Sequence, residues 1–146
     1  MARKDMYKGH AKHVTWLGKF VIAFEHSVKG KIQTKSDFIK IYPKTHEIFE
    51  LQIKSKVHNA KIKKIDSTLE KGKVSLVYNG NKCLILELCR HLRNSICHAN
   101  LKVEDNKLHI LDFYQKKYSS KGYLSVNTGI SFVKTFVSEY ESKFKD

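Results

Sequence analysis

Three residues near the middle of the chain have the types and spacing that acid–base chemistry on a phosphate requires. Asn94 directly follows Arg93, and His98 lies five positions after Arg93. An imidazole with an ordinary pKa of about 6.5 accepts or donates a proton at neutral pH. A guanidinium binds a phosphate through two parallel hydrogen bonds, and an amide orients either group. Because RNA carries its own nucleophile, the 2′-hydroxyl, these groups can cleave it without a metal ion.

The three residues lie in a segment whose apolar residues have helical spacing, which predicts a helix over residues 81–99. At about 100° per residue, Arg93 and His98 lie about 140° apart around a straight helix, on either side of the apolar stripe. Asn94 and His98 share a face. Joint action of Arg93 and His98 therefore requires a distorted helix end near 99–100 or a second copy of the helix across a two-fold axis.

The segment 92–100, Leu-Arg-Asn-Ser-Ile-Cys-His-Ala-Asn, resembles the Arg-x(4–6)-His signature of the HEPN superfamily, in which a polar residue often follows the arginine. The resemblance implies a helical core, a homodimer whose two motifs face each other, and metal-independent RNA cleavage. It assigns Arg93 and His98 as catalytic residues and Asn94 as a supporting residue, with no metal or cofactor. Some HEPN domains keep the fold and lose activity, so a non-catalytic RNA-binding or protein-interaction module of the same fold is the alternative.

A zinc site formed by Cys89, His91, Cys97 and His98 is a further alternative. Zinc sites usually contain cysteine pairs separated by two to four residues, whereas Cys89 and Cys97 are eight positions apart. The apolar stripe also places Cys89 in the core. The sequence therefore predicts no metal, and it predicts that Cys83, Cys89 and Cys97 are reduced thiols.

The charge balance indicates a polyanionic partner. The chain has 28 Lys and Arg against 14 Asp and Glu, a formal net charge of +14, which favours RNA binding through counterion release. Two lysine-rich stretches, 54–64 and 116–121, are candidate RNA-binding segments, and a solvated charged surface is the alternative interpretation. The candidate lysines are Lys54, Lys56, Lys61, Lys63, Lys64, Lys116 and Lys117.

The elements around the motif are predicted from apolar periodicity and turn residues. Helices are expected over 12–29, over 36–42 with Ser36 as N-cap and Pro43 ending it, and from about 127 to 143. A β-hairpin is expected over 102–114, with its turn at Asp105 and Asn106. Residues 45–80 remain open between a helix and a short strand over 72–79. The expected buried side of the last helix consists of Val133, Phe136, Val137, Tyr140 and Phe144.

Together these patterns predict a single domain over 1–146 that is mainly α, an antiparallel helical bundle of the HEPN type with a small β-hairpin after the motif helix. No stretch reaches the roughly 20 apolar residues of a membrane span, and no apolar segment of signal-peptide type follows the N-terminus. We therefore expect a cytoplasmic protein without a membrane partner. The leading hypothesis is a homodimeric endoribonuclease, a toxin or defence effector with an antitoxin or other regulatory protein.

Overall fold

The computed structural model describes residues 11–59, 74–76, 83–114 and 117–144. Within these residues the helices are α1 (Ala11–Ser27), α2 (Lys35–Ile41), α3 (Pro43–Ile48), α4 (Leu84–Cys97) and α5 (Val126–Phe144). The strands are β1 (Val57–Asn59), β2 (Val74–Leu76), β3 (Lys102–Glu104), β4 (Lys107–Tyr114) and β5 (Lys117–Ser125). The predicted mainly α fold class is confirmed. None of the described helices is long and apolar enough to cross a membrane.

Helices α1 and α5 pack together and supply much of the aromatic core. The ring of Phe136 on α5 stacks on Tyr42 with a centroid distance of 4.3 Å and lies 5.1 Å from the ring of Phe20 on α1. The predicted buried side of α5 is correct from Val133 to Tyr140. It is wrong at Phe144, which is 40% exposed, because this residue lies in the last turn of the helix beyond the core.

The sequence predicted Ser36 as the N-cap of α2 and Pro43 as the residue that ends it, and the structure differs from both predictions. The N-cap of α2 is Thr34, whose side chain accepts a hydrogen bond from the backbone N–H of Asp37 at 3.1 Å. Ser36 therefore lies inside the helix. Pro43 does not simply end α2; it is the first residue of α3, where its missing N–H has no intrahelical acceptor to lose.

Residues 45–59 and 74–76 contain both of the structures that the sequence left open. Helical backbone continues after α3 through a π-helical turn, Phe49–Ile53, and a 3₁₀ turn, Lys54–Lys56. Strand β1 follows directly, and it is a strand that the sequence analysis did not predict. Of the alternatives left open for 72–79, the strand is present in the described part, β2.

The predicted hairpin belongs to a larger sheet. Strands β3 and β4 pair as expected, and Asp105 and Asn106 form the turn with φ angles of 53° and 58°, as a two-residue hairpin turn requires. Strand β5 pairs antiparallel with β4, and the strand order is β1-β2-β5-β4-β3. The hairpin prediction is therefore correct in register and too small in extent.

The motif helix α4 packs against both α1 and β4. The apolar stripe predicted for it is buried at Ile85, Leu88, Cys89 and Leu92. On the sheet side, Asp112 of β4 lies opposite Ser120 of β5, and the β4–β5 register shifts immediately after Asp112. This arrangement lets side chains of α4 reach partners on α1 and on the hairpin.

Candidate active site

Two carboxylates enclose a fully buried imidazole beside the motif. His91 on α4 has no exposed side-chain surface, and Glu87, one helical turn earlier, and Asp112 of β4 are each 3% exposed. The Nδ1 atom of His91 lies 2.6 Å from Asp112 Oδ2. Its Nε2 atom lies 3.2 Å from Glu87 Oε2. Each ring nitrogen therefore faces a carboxylate oxygen, as a protonated imidazole requires, and Nε2 also lies 3.2 Å from Arg90 Nη2.

The charge states of these groups follow from competition between burial and pairing. Burial lowers the pKa of His91, but the hydrogen bonds to Asp112 and Glu87 outweigh it and raise that pKa overall. Burial raises the pKa of Asp112 and of Glu87, but hydrogen bonds from His91 and from Asn94 or Arg90 lower both pKa values overall. Arg90 donates to Glu87 Oε2 at 2.5 Å. The two cations and two anions of this cluster therefore cancel.

The pKa shifts predict a stability maximum in mildly acidic solution. Because the pKa of His91 is raised above 6.5, its contribution is complete below that pH and is lost as the pH rises through the folded-state pKa. Because the pKa values of Glu87 and Asp112 are lowered, their contributions are complete above their ordinary 4.5 and 3.8 and are lost as the pH falls through the folded-state values. Urea unfolding of wild type and His91→Gln across pH 4–9 tests this. Above the stability maximum, the free energy of unfolding should fall more steeply with rising pH in wild type. A neutral His91 at pH 6 by NMR would contradict the assignment.

The same cluster extends to the motif arginine. Asp112 Oδ2 also accepts a hydrogen bond from Asn94 Nδ2 at 3.1 Å. The other end of that amide, Oδ1, accepts a hydrogen bond from Arg93 Nη1 at 2.7 Å. Arg93 Nη2 forms an ion pair with Glu25 of α1. Asn94 thus bridges the carboxylate on the hairpin and the guanidinium, and its amide orientation is fixed at both ends.

His98 occupies a different environment at the end of α4. It is the C-cap residue, its side chain is exposed, and its backbone N–H donates to the Asn94 carbonyl at 2.9 Å. Ala99 has a φ of 58°, and the Asn100 N–H donates to the Ser95 carbonyl at 2.8 Å. The helix ends at Cys97, two residues before its predicted end at 99. In the described part of this chain, no hydrogen bond or ion pair joins His98 to Arg93. One chain alone therefore does not assemble the two predicted catalytic side chains.

A groove of about 430 Å³ lies between the C-terminal part of α1 and α4. Arg93 and Asn94 line it together with Arg90, Lys29 and Gln33, above an apolar floor that includes Phe24 and Leu86. The carboxylate of Glu87 also lines the groove, and each of the three cations is ion-paired with Glu25 or Glu87. The remaining N–H groups of these cations and the two amides, around an apolar floor, suit a phosphate with an attached base. His98 is not among the groove residues.

Lys54 and Lys56 are the two of the seven predicted RNA-binding lysines whose side chains the structure describes. Lys54 lies 3.1 Å from Glu50 in an ion pair, and Lys56 is half-buried in the 3₁₀ turn. Lys117 lies in β5, but its side chain is not described, and Lys61, Lys63, Lys64 and Lys116 lie outside the described residues. The role of the seven lysines in RNA binding stays a prediction.

The four zinc candidates do not converge. Cys89 is fully buried, which raises the pKa of its thiol, and His91 is enclosed by carboxylates, whereas Cys97 and His98 are exposed. The three cysteines are free thiols. Across the described residues, no group of three or more His, Cys, Asp or Glu side chains is arranged to hold a metal ion.

Three acidic residues of this site were not predicted from the sequence. Glu87 and His91 are four positions apart on a predicted helix, so their pairing was readable from the spacing. Asp112 lies in the predicted hairpin, but only the packing of that hairpin on α4 places it beside His91. Glu25 carries no local signal, because its partner Arg93 is distant in the sequence.

A family model described as HEPN pEK499 p136 matches residues 14–146. The chain therefore belongs to this HEPN family, and the resemblance inferred from the motif is confirmed. No curated protein and no solved structure matches the chain significantly. HEPN domains bind RNA and often dimerise, and membership points to an RNA-related or nuclease role.

Proposed function

We propose that the protein is an endoribonuclease that cleaves RNA by attack of a 2′-hydroxyl on the adjacent phosphate, without a metal ion. The observation that carries the proposal is the fixed Arg93–Asn94 pair, which lines an open groove and is anchored to the buried Asp112. Such anchoring keeps donors aimed where negative charge develops on the phosphate, so little reorganisation is needed during the reaction.

Arg93 is the phosphate-binding residue in this scheme. Its guanidinium has five N–H groups, and the bonds to Asn94 and Glu25 leave others for a ligand. The side chain is 22% exposed, so a phosphate in the groove can reach it. Glu25 holds the guanidinium in place, at the cost of weakening its positive field.

His98 is the proton-transfer residue, and it acts in a homodimer. Its exposed position at the end of α4 leaves the imidazole accessible to a second copy. Most of α4 is buried, and its exposed residues are Arg90 and Cys97. A dimer formed through the motif helix therefore uses its C-terminal end, which brings His98 of one copy toward the groove of the other.

An RNA-cleaving activity requires restraint in the cell, which fits a toxin or defence effector in the cytoplasm under the control of an antitoxin or other regulatory protein. The second candidate function is a non-catalytic RNA-binding or protein-interaction module of the same fold. The observation that favours it is that, within the described part of one chain, no hydrogen bond or ion pair joins Arg93 to His98. Arg93 is instead paired with Glu25, which is a structural role for the cation.

The test is incubation of the purified protein with a defined single-stranded RNA in EDTA, followed by analysis of the product ends. The proposal expects cleavage with 2′,3′-cyclic phosphate ends at the upstream fragment, because the 2′-hydroxyl is the nucleophile. An oligonucleotide with 2′-O-methyl groups should resist cleavage. Binding without product, or products with 5′-phosphate ends, would instead support the non-catalytic module or a different chemistry.

A further inference from the structure

A second groove, between α1 and α5, has the composition of a surface for an unpaired nucleotide. Its volume is about 490 Å³. Trp16 of α1 lies in it, and α5 contributes Asn127, Ser131, Lys134 and Thr135. Stacking surface, hydrogen-bonding side chains and positive charge therefore occur together.

Trp16 is partly buried against the core, and two lysines lie over its ring. The Nζ atoms of Lys19 and Lys134 lie 5.0 and 5.5 Å from the ring centroid. Both lysines are exposed, and a cation–π contact at an exposed site is weak. A ligand that offers a phosphate to each ammonium and a base to the ring therefore replaces these contacts with stronger ones.

The charge around the groove favours an anionic ligand. None of the groove's described lining residues is acidic, in a protein whose net charge is +14. The neutral hydroxyl and amide groups beside the lysines can form hydrogen bonds with the edge of any base. This combination of an aromatic platform and flexible cations is typical of sequence-tolerant binding of single strands.

We propose that this groove binds an unpaired nucleotide of single-stranded RNA, with its base stacked on Trp16 and its flanking phosphates on Lys19 and Lys134. The groove is separate from the motif. Trp16 and Glu25 are nine positions apart on α1, which corresponds to about 180° around the helix. Trp16 therefore faces away from the side of α1 that contacts Arg93, and the proposal does not depend on catalysis.

The test uses the fact that Trp16 is the only tryptophan, so its emission reports this groove alone. A 2′-O-methyl oligoribonucleotide, which lacks a free 2′-hydroxyl and stays intact, is titrated into wild type, with DNA of the same sequence as a second arm. Saturable quenching of Trp16 emission is expected, at the same concentrations at which the anisotropy of a labelled oligonucleotide rises. A stronger response to the DNA than to the oligoribonucleotide would contradict the assignment of the groove to RNA.

Variants separate stacking from charge. Trp16→Ala should weaken binding by about 5- to 150-fold, and Trp16→Phe should restore most of it. Lys19→Ala and Lys134→Ala should each lower the salt slope of log K by about 0.7, whereas Lys102→Ala, an exposed lysine of β3, should have a smaller effect on Trp16 quenching. The lysine variants keep the test valid if Trp16→Ala proves unstable. Binding that leaves Trp16 emission and the lysine variants unchanged, or no binding at low salt, would overturn the proposal, whether or not the protein cleaves RNA.

Discussion

Replacing His98 by alanine is expected to lower the rate of RNA cleavage by about 10²- to 10⁴-fold, the usual contribution of a general acid or base. The free energy of unfolding should change by less than about 0.5 kcal/mol, because the side chain is exposed. Initial rates on a defined RNA and urea unfolding of the same preparations measure the two effects. The matched control is Leu51→Ala in the π-helical turn, which removes a side chain that is 75% exposed and should retain wild-type rates.

Arg93→Ala should also abolish cleavage, but it should cost stability as well, since it leaves Glu25 without its partner on α4. Lys35→Ala is the control for loss of an ion-paired cation, because Lys35 pairs with Glu50 at 3.6 Å on another part of the surface. If Arg93→Ala loses cleavage and Lys35→Ala keeps it, the loss reflects a local role of Arg93 and not a weaker general electrostatic attraction of RNA. Full activity of both Arg93→Ala and His98→Ala would rule out the proposed site.

Mixing the two inactive variants tests whether the site is shared between subunits. If Arg93 of one copy acts with His98 of the other, a heterodimer of Arg93→Ala and His98→Ala contains one intact site. Random exchange of equal amounts should then restore about a quarter of wild-type activity. If both residues act within one chain, every site in the mixture lacks one of them and no activity returns.

Replacing Asp112 by alanine is expected to lower the free energy of unfolding by about 3–5 kcal/mol at pH 6, the range for breaking a buried ion pair by removing one partner. The change leaves the buried His91 imidazolium with one carboxylate and leaves Asn94 Nδ2 without its acceptor. Asp112→Asn keeps the shape and should cost less. Glu104→Ala, an exposed acidic residue on β3, is the control from the same sheet.

Chemical denaturation measures these changes, and a double variant identifies their origin. Replacing Asp112 and His91 together by leucine should recover part of the loss, because it removes both charges instead of leaving one unpaired. A loss below about 1 kcal/mol for Asp112→Ala would mean that the pair behaves as a solvent-exposed contact. In that case the raised pKa of His91 would also be absent from its NMR titration.

The helices were predictable because apolar residues at helical spacing have to face one core. The apolar periodicity of α4 and α5 was sufficient to predict both helices. The motif inside α4 could be identified because its residues are close together in the sequence. In these places local sequence and tertiary packing agree.

The sheet was less predictable because its strands depend on their neighbours. Strand β5 contains Ser119, Ser120 and Gly122, which are weak strand formers, and it forms by pairing with β4. Strands β1 and β2 have only three residues each. The contacts of Asp112 and Glu25 with α4 likewise depend on how distant elements pack, which no local pattern contains.

The tight turn of the β3–β4 hairpin limits which insertions and deletions this site tolerates. Five residues separate Asn106 from Asp112 along β4, and successive strand residues point to opposite faces of the sheet. Adding or deleting one of the five would direct Asp112 away from α4 and bring Leu111 or Phe113 toward His91. Relatives that keep His91 and Asn94 in these roles should therefore conserve the length of this segment more strictly than its composition.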